Sequence, residues 1–187
     1  MTKLFLGAAL SVAMLGTTAF ADDCQSGQCL EEGSQIGAFH VTKVAGAEED
    51  GVEVGEKLCY RCRYGSRPMV MVFTRTTEGK LPEFVQKLDK AVESHQDAQL
   101  KGLVTLIGGE SEKMKKSGEK FASAAKAKNI PVVVSDDANG PSSYKIPEDA
   151  EVAIVVANES QVVASHTYKA DAIDIADVMK HVQEMLN

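Results

Sequence analysis

From Pro68 to the C-terminus, short apolar runs alternate with longer stretches whose apolar residues recur every three or four positions. Residues 69–73 (MVMVF) are apolar throughout, the pattern of a strand buried on both faces. Within residues 81–96, Leu81, Phe84, Val85, Leu88, Ala91 and Val92 fall on one stripe and predict an amphipathic helix. Pro82 fits the first turn of that helix, where its missing N–H has no partner to lose. A second strand is predicted at residues 103–107, ended by Gly108-Gly109. Ser111 is placed to cap a second helix reaching about residue 129, with Met114, Phe121, Ala122 and Ala125 inward and lysines outward. Residues 131–134 predict a third strand, closed by the turn-rich residues 136–141 (DDANGP). Residues 151–156 and 161–168 predict a hairpin around Ala157-Asn158-Glu159-Ser160. The last helix is predicted at residues 171–186, with Ile175, Val178, Val182 and Met185 inward and Asp171 and Asp174 complementing its N-terminus.

Before Pro68 the pattern is weaker. Residues 38–45 (AFHVTKVA) alternate enough to predict a first strand, and residues 48–55 form an acidic turn containing Gly51 and closed by Gly55. The order β-α-β-α-β, then β-β-α, demands a parallel sheet with right-handed crossovers and an antiparallel edge, within one α/β domain.

The ends of the chain change what counts as the domain. Lys3, an apolar stretch from Leu4 to Gly16 and Ala19-Phe20-Ala21 make residues 1–21 a signal peptide with an A-x-A cleavage site. The apolar stretch is too short to span a hydrocarbon core of about 30 Å as a helix, so no membrane association is expected after cleavage. Cys24 invites a lipid anchor, but Asp22 and Asp23 stand where a lipobox has small residues. Residues 22–37, polar, acidic and rich in Gly and Ser, are expected to be a flexible arm. Export, to the periplasm or out of the cell, places all four cysteines in an oxidising compartment.

Composition mostly excludes. The formal net charge is −7, and the largest basic block is the short segment 57–67, so phosphate neutralisation has no surface to work with and no nucleic-acid partner is expected. There is no Trp to build a stacking platform. His40, His95, His166 and His181 are scattered without metal-like spacing and are expected at surface or edge positions. Asp136 and Asp137 lack the later glutamate of a calcium loop and are expected in a polar turn. Gly108-Gly109 lacks the Lys-Ser/Thr of a phosphate-binding loop. Lys113, Lys115, Lys116, Lys120, Lys126 and Lys128 are expected to form the solvated face of a helix.

The element order from Met69 onward resembles the thioredoxin-like superfamily, particularly its peroxiredoxin and alkyl-hydroperoxide-reductase branch. Residues 67–75 (RPMVMVFTR) resemble the strand leading to that branch's active site, residues 130–137 (IPVVVSDD) its strand ending in an aspartate-rich turn, and residues 142–156 (SSYKIPEDAEVAIVV) its tyrosine-containing turn and the strand behind it. The resemblance implies a thioredoxin-like domain over residues 38–187: a central mixed sheet, parallel βαβαβ followed by a β-hairpin and C-terminal helix, flanked by helices. The superfamily's nucleophilic cysteine follows the central strand at a helix N-terminus, where dipole and free N–H groups lower its pKa. Here Thr74-Arg75-Thr76-Thr77-Glu78-Gly79 occupies that place, and Ala150-Glu151 stands where the family has a cis-proline. Peroxidase chemistry is therefore not expected.

The chemistry this chain does carry is Cys59-Tyr60-Arg61-Cys62, which precedes the central strand. A strand rises about 3.3 Å per residue, so residues 69–75 separate the two ends of the sheet by roughly 20 Å. The pair is expected near the N-terminal end of the strand, a relocated site. Three readings stay open. A redox-active dithiol is supported by the C-x-x-C spacing and by the flanking Lys57, Arg61, Arg63 and Arg67, whose charge favours thiolate; by analogy Cys59 attacks and Cys62 resolves, with Lys57, Arg61 and Arg63 tuning the thiols. Structural disulfides, either the local pairs Cys24–Cys29 and Cys59–Cys62 or crossed pairs, are the second. A metal site of Cys24, Cys29, Cys59 and Cys62 is the third, although C-x4-C is not the usual zinc knuckle. Outside that reading no cofactor is expected, and the expected partner is an unidentified protein or thiol.

Overall fold

The computed structural model describes residues 30–187, so the segment expected to be a signal peptide, Cys24 and Cys29 lie outside the described residues. Seven strands form one sheet: β1 (Val41–Ala45), β2 (Lys57–Leu58), β3 (Met69–Thr74), β4 (Lys101–Leu106), β5 (Val132–Val134), β6 (Val152–Asn158) and β7 (Gln161–Tyr168). Their spatial order is β2-β1-β5-β4-β3-β6-β7. β3, β4 and β5 are parallel, as the alternating units require, and the remaining pairs are antiparallel. The helices are α1 (Tyr60–Tyr64), α2 (Leu81–Ser94), α3 (Ser111–Ala125) and α4 (Ile175–Leu186). The α/β architecture implied by the resemblance, a mixed sheet flanked by helices, is the one observed.

The all-apolar run of β3 has the expected cause: it lies inside the sheet, and every residue from Met69 to Thr74 is buried. Its alternate residues feed two cores. Val70 and Val72 join α2, α3 and α4 on one face. Met69, Met71 and Phe73 face Phe39, Tyr60, Tyr64 and Tyr144 on the other. Among the described residues that second face carries no long helix, and it is closed by α1, by the turn Ser142–Tyr144 and by the chain before β1. Aromatic rings fill it: Phe73 and Tyr144 lie 4.8 Å apart, and Phe39 and Tyr144 5.2 Å apart edge-on.

Several boundaries move for identifiable reasons. α3 ends at Ala125 because Lys126 turns left-handed at φ 53, so residues 126–129 leave the helix. Its cap position is Glu110, with no side-chain cap bond, and Ser111 is the first helical residue. α4 starts at Ile175, because Asp174 rather than Asp171 caps it by accepting the Asp177 N–H at 3.0 Å. Lys57–Leu58 and α1 were not foreseen, since two strand residues and five helical residues are too short to show a period. The arm expected to be flexible is docked from Leu30 onward. Leu30 and Ile36 are buried, and the N–H groups of Gly33 and Ile36 donate to Val162 and Ser160 carbonyls at 2.8 and 3.0 Å. The open edge of β7 offers unpaired carbonyls, and the arm covers part of it. Among the described residues no helix is long and apolar enough to cross a membrane.

Candidate functional site

The path of the chain through β2 decides where the cysteines sit. Thr42 pairs with Val134, the last residue of β5, and also with Lys57 of β2. β2 runs antiparallel to β1, so it climbs toward the carboxyl ends of the parallel strands, and Cys59 follows its last residue. Lys57 confirms the level: its ammonium pairs with Asp136, two residues beyond the end of β5. From there α1 carries the chain back down one sheet face. Tyr64 Oη donates to the Gly102 carbonyl at 3.0 Å, near the start of β4, and β3 begins at Met69 opposite Lys101. The expectation that the pair lies at the N-terminal end of the central strand is therefore corrected. Cys59 sits at the carboxyl end of the sheet, on its β2 edge, and the five-residue helix with its linker makes the return trip.

Cys59 and Cys62 are joined in a disulfide with Cα atoms 5.3 Å apart. Cys59 is the N-cap of α1, and its Sγ accepts the Cys62 N–H at 3.1 Å. Cys59 is half-buried and Cys62 exposed. Neither sulfur is a thiolate in this form, so neither serves the four-cysteine metal set; Cys24 and Cys29 lie outside the described residues.

The cationic flanks are distributed unequally. Lys57 is spent on Asp136. Arg63 Nη2 donates to the Asp50 carbonyl at 2.8 Å, and Arg67 reaches Gln99 and the carbonyls of Arg63 and Tyr64. The Arg61 charge reaches Tyr144: burial pushes that phenol's pKa up, and the Arg61 charge pulls against it. The Arg61 Nε is buried without a hydrogen-bond partner.

Beneath α1 is a polar anchor that the sequence pattern did not disclose. Tyr60 is 1% exposed, and its hydroxyl donates to Asp50 Oδ2 at 2.6 Å. Asp50 Oδ1 receives the buried Lys43 ammonium at 2.7 Å, and Lys43 also donates to the Ala47 and Val52 carbonyls, each at 2.9 Å. Burial first, then the hydrogen bond and charge of Asp50, keep the Tyr60 phenol protonated well above its usual range. A lysine in a weakly alternating strand and an aspartate in an acidic turn gave no sign of this pairing.

The place of the superfamily's nucleophile is filled by a closed turn. Thr74 Oγ1 donates to the Thr76 carbonyl at 2.6 Å, and the Glu78 N–H donates to Thr76 Oγ1 at 3.2 Å. Arg75 spans the neighbouring loops, donating from Nε to the Ala150 carbonyl at 3.2 Å and from Nη1 to that of Ala138 at 3.0 Å. Asp137 is in a polar turn, where it accepts the Asn139 N–H at 3.0 Å. The lysines of α3 are largely solvated, two of them in surface ion pairs with Glu110 and Glu112. The histidines do not all stay apart: His166 and His181 come together with ring centroids 5.1 Å apart.

No protein-family model and no curated protein sequence matches the chain. Solved structures do. The chain is similar to AhpC of Mycobacterium tuberculosis, with 11% identity, a TM-score of 0.63, and coverage of 85% of this chain and 99% of that one. It is also similar to the thioredoxin domain of a thiol-disulfide oxidoreductase from Bacteroides vulgatus, with 16% identity, a TM-score of 0.57, and coverage of 82% and 99%. A third likeness is to the pneumococcal exposed lipoprotein thioredoxin Etrx1 from Streptococcus pneumoniae strain TIGR4, with 13% identity, a TM-score of 0.56, and coverage of 79% and 99%. At such identities the likeness speaks to architecture, and the chain has the thioredoxin-like fold in which these proteins share.

Proposed function

We propose that this is an exported thioredoxin-like protein that exchanges disulfides with a protein or thiol partner through Cys59 and Cys62. The observation that carries the reading is the asymmetry of the pair: Cys62 is exposed, while the half-buried Cys59 Sγ accepts the Cys62 N–H. A partner thiolate attacks the accessible Cys62 sulfur, forming a mixed disulfide as Cys59 leaves as a thiolate. The N–H already directed at Cys59 and the cationic flanks stabilise that leaving group. A second partner thiol then attacks the partner sulfur of the mixed disulfide and releases Cys62 as thiolate. The partner ends as a disulfide, having lost two electrons and its thiol protons to this pair and to solvent. This reverses the roles assigned by analogy, making Cys62 the exchanging sulfur and Cys59 the resolving one.

Export is supported by the leader-like residues 1–21 and by the likeness to an exposed lipoprotein thioredoxin. The proposal is tested by equilibrating the protein with glutathione redox buffers and measuring the fraction reduced. A reduction potential above about −300 mV supports exchange, and one well below it reduces the pair to a structural bridge. That second reading is favoured by one observation, the closed Thr74–Thr76 turn at the superfamily's active-site position.

A further inference from the structure

At the edge of the sheet farthest from β2, three groups capable of binding a metal converge. His166 lies on β7, on the side where Ala164 and Tyr168 face α4. Asp177 and His181 stand one turn apart on α4. Each offers one donor atom, and the three atoms lie within 4.8 Å of one another. His181 Nδ1 lies 3.1 Å from the Asp177 backbone carbonyl and 4.0 Å from its carboxylate. A carbonyl only accepts, so Nδ1 carries the proton and Nε2 keeps the lone pair that a metal takes. Imidazoles that ligate metals are commonly held by such a bond to a backbone carbonyl.

A second observation points to the same place. Tyr168 is 7% exposed, and its ring stacks on His166 with centroids 5.9 Å apart and planes 19° apart. Its hydroxyl is buried without a hydrogen-bond partner. The carboxylates of Asp177 and Asp174 on α4 stand within electrostatic reach of that hydroxyl. An orphaned buried donor beside a carboxylate suits a site whose remaining coordination position holds water.

We propose that His166, Asp177 and His181 bind one divalent transition-metal ion of the zinc class, tying α4 to the β7 edge. Two imidazole nitrogens and one carboxylate oxygen suit Zn2+ and its first-row neighbours, whereas Ca2+ and Mg2+ take oxygen donors and Cu+ prefers sulfur. Zinc–nitrogen bonds of about 2.0–2.1 Å in a tetrahedral shell put donor atoms roughly 3.4 Å apart. The three residues are half-buried at the surface, where modest side-chain rotation closes that difference. This site is independent of the disulfide and of the redox reading.

The test is a zinc titration of the full chain with its cysteines oxidised, followed by calorimetry and by the imidazole resonances. One ion per chain is expected, with the resonances of His166 and His181 shifting and those of His40 and His95 unmoved. His166→Gln, His181→Gln and Asp177→Asn each weaken binding about tenfold or more, whereas Cys59→Ser with Cys62→Ser leaves it unchanged. Co2+ in place of zinc gives a visible spectrum without a thiolate charge-transfer band. The proposal is overturned by absence of binding to the full chain, by binding that persists in the His166→Gln, His181→Gln double variant, by shifts at His40 or His95 instead, or by loss of binding in the cysteine variant. The resonances are read on the unaltered chain, so the outcome does not depend on any variant folding.

Discussion

The backbone N–H of Cys62 donates to the Sγ of Cys59 at 3.1 Å, which makes the first cysteine the cap of the helix that carries the second. In the proposed exchange, that N–H stays with the sulfur it already contacts when the bridge opens, which would put the released charge on the half-buried cysteine. On that proposal the exposed cysteine is the one that meets a partner.

Single cysteine variants separate the two roles. Cys59→Ser, with Cys62 intact, accumulates a mixed disulfide with glutathione, because nothing resolves it. Cys62→Ser accumulates far less, since the remaining sulfur is half-buried. Intact-mass analysis of the unreduced proteins reads both; equal trapping by the two variants would remove the assignment.

If the pair exchanges disulfides as proposed, the cationic flanks are expected to act on the reduced protein, Arg61 more than Lys57. Lys57 is already paired with Asp136 on an exposed surface, whereas Arg61 has a buried Nε without a partner. Arg61→Ala should raise the pH at which the thiolate forms by about half a unit or more, since positive charge favours the ionised thiol. Exchange then fades at a higher pH on acidification than in the parent protein. Ultraviolet thiolate absorbance against pH checks this, and a larger effect from Lys57→Ala would contradict it.

The anchor under α1 predicts a graded loss of stability. Tyr60→Phe removes one hydrogen bond to a carboxylate that keeps its contacts with Lys43 and the Val52 N–H, and costs about 1.5–3 kcal/mol. Asp50→Ala leaves the Lys43 ammonium buried without its carboxylate and costs about 3–5 kcal/mol. Urea unfolding measures both, and the reverse order would show that Asp50 is not the centre of the cluster.

Two left-handed glycines distinguish backbone strain from crowding. Gly55, at φ +91, has no atom within 4 Å of an added Cβ, so Gly55→Ala costs about 1–2 kcal/mol of conformational energy alone. Gly46, at φ +72, would drive its Cβ into the Ile130 carbonyl oxygen. Gly46→Ala therefore carries an overpacking cost of about 1–3 kcal/mol in addition. Equal losses of stability in the two variants would contradict the close approach of the turn after β1 to the loop before β5.

Much of the fold was legible because its elements are long enough to show their period. The stripe from Leu81 to Val92 and the unbroken run from Met69 to Phe73 identify α2 and β3 by themselves. The hairpin was legible too, and the structure supplies its turn: Glu159 and Ser160 both take positive φ, the twist that joins antiparallel strands through two residues. The chemistry was legible as residue types and not as places. Cys59-Tyr60-Arg61-Cys62 marks a close cysteine pair in any reading, yet its level on the sheet depends on two strand residues whose pairing leaves no pattern.

The sequence by itself determined the order and kind of the main elements and the presence of a cysteine pair outside the superfamily's usual position. These follow from local periodicity and spacing, which a chain carries wherever it folds. Only the tertiary structure decided that β2 lifts Cys59 to the carboxyl end of the sheet, that Lys43 and Asp50 meet under Tyr60, and that His166 joins His181. Each of these depends on where sheet pairing or helix packing brings residues separated along the chain, and side-chain type at one position does not encode its distant partner.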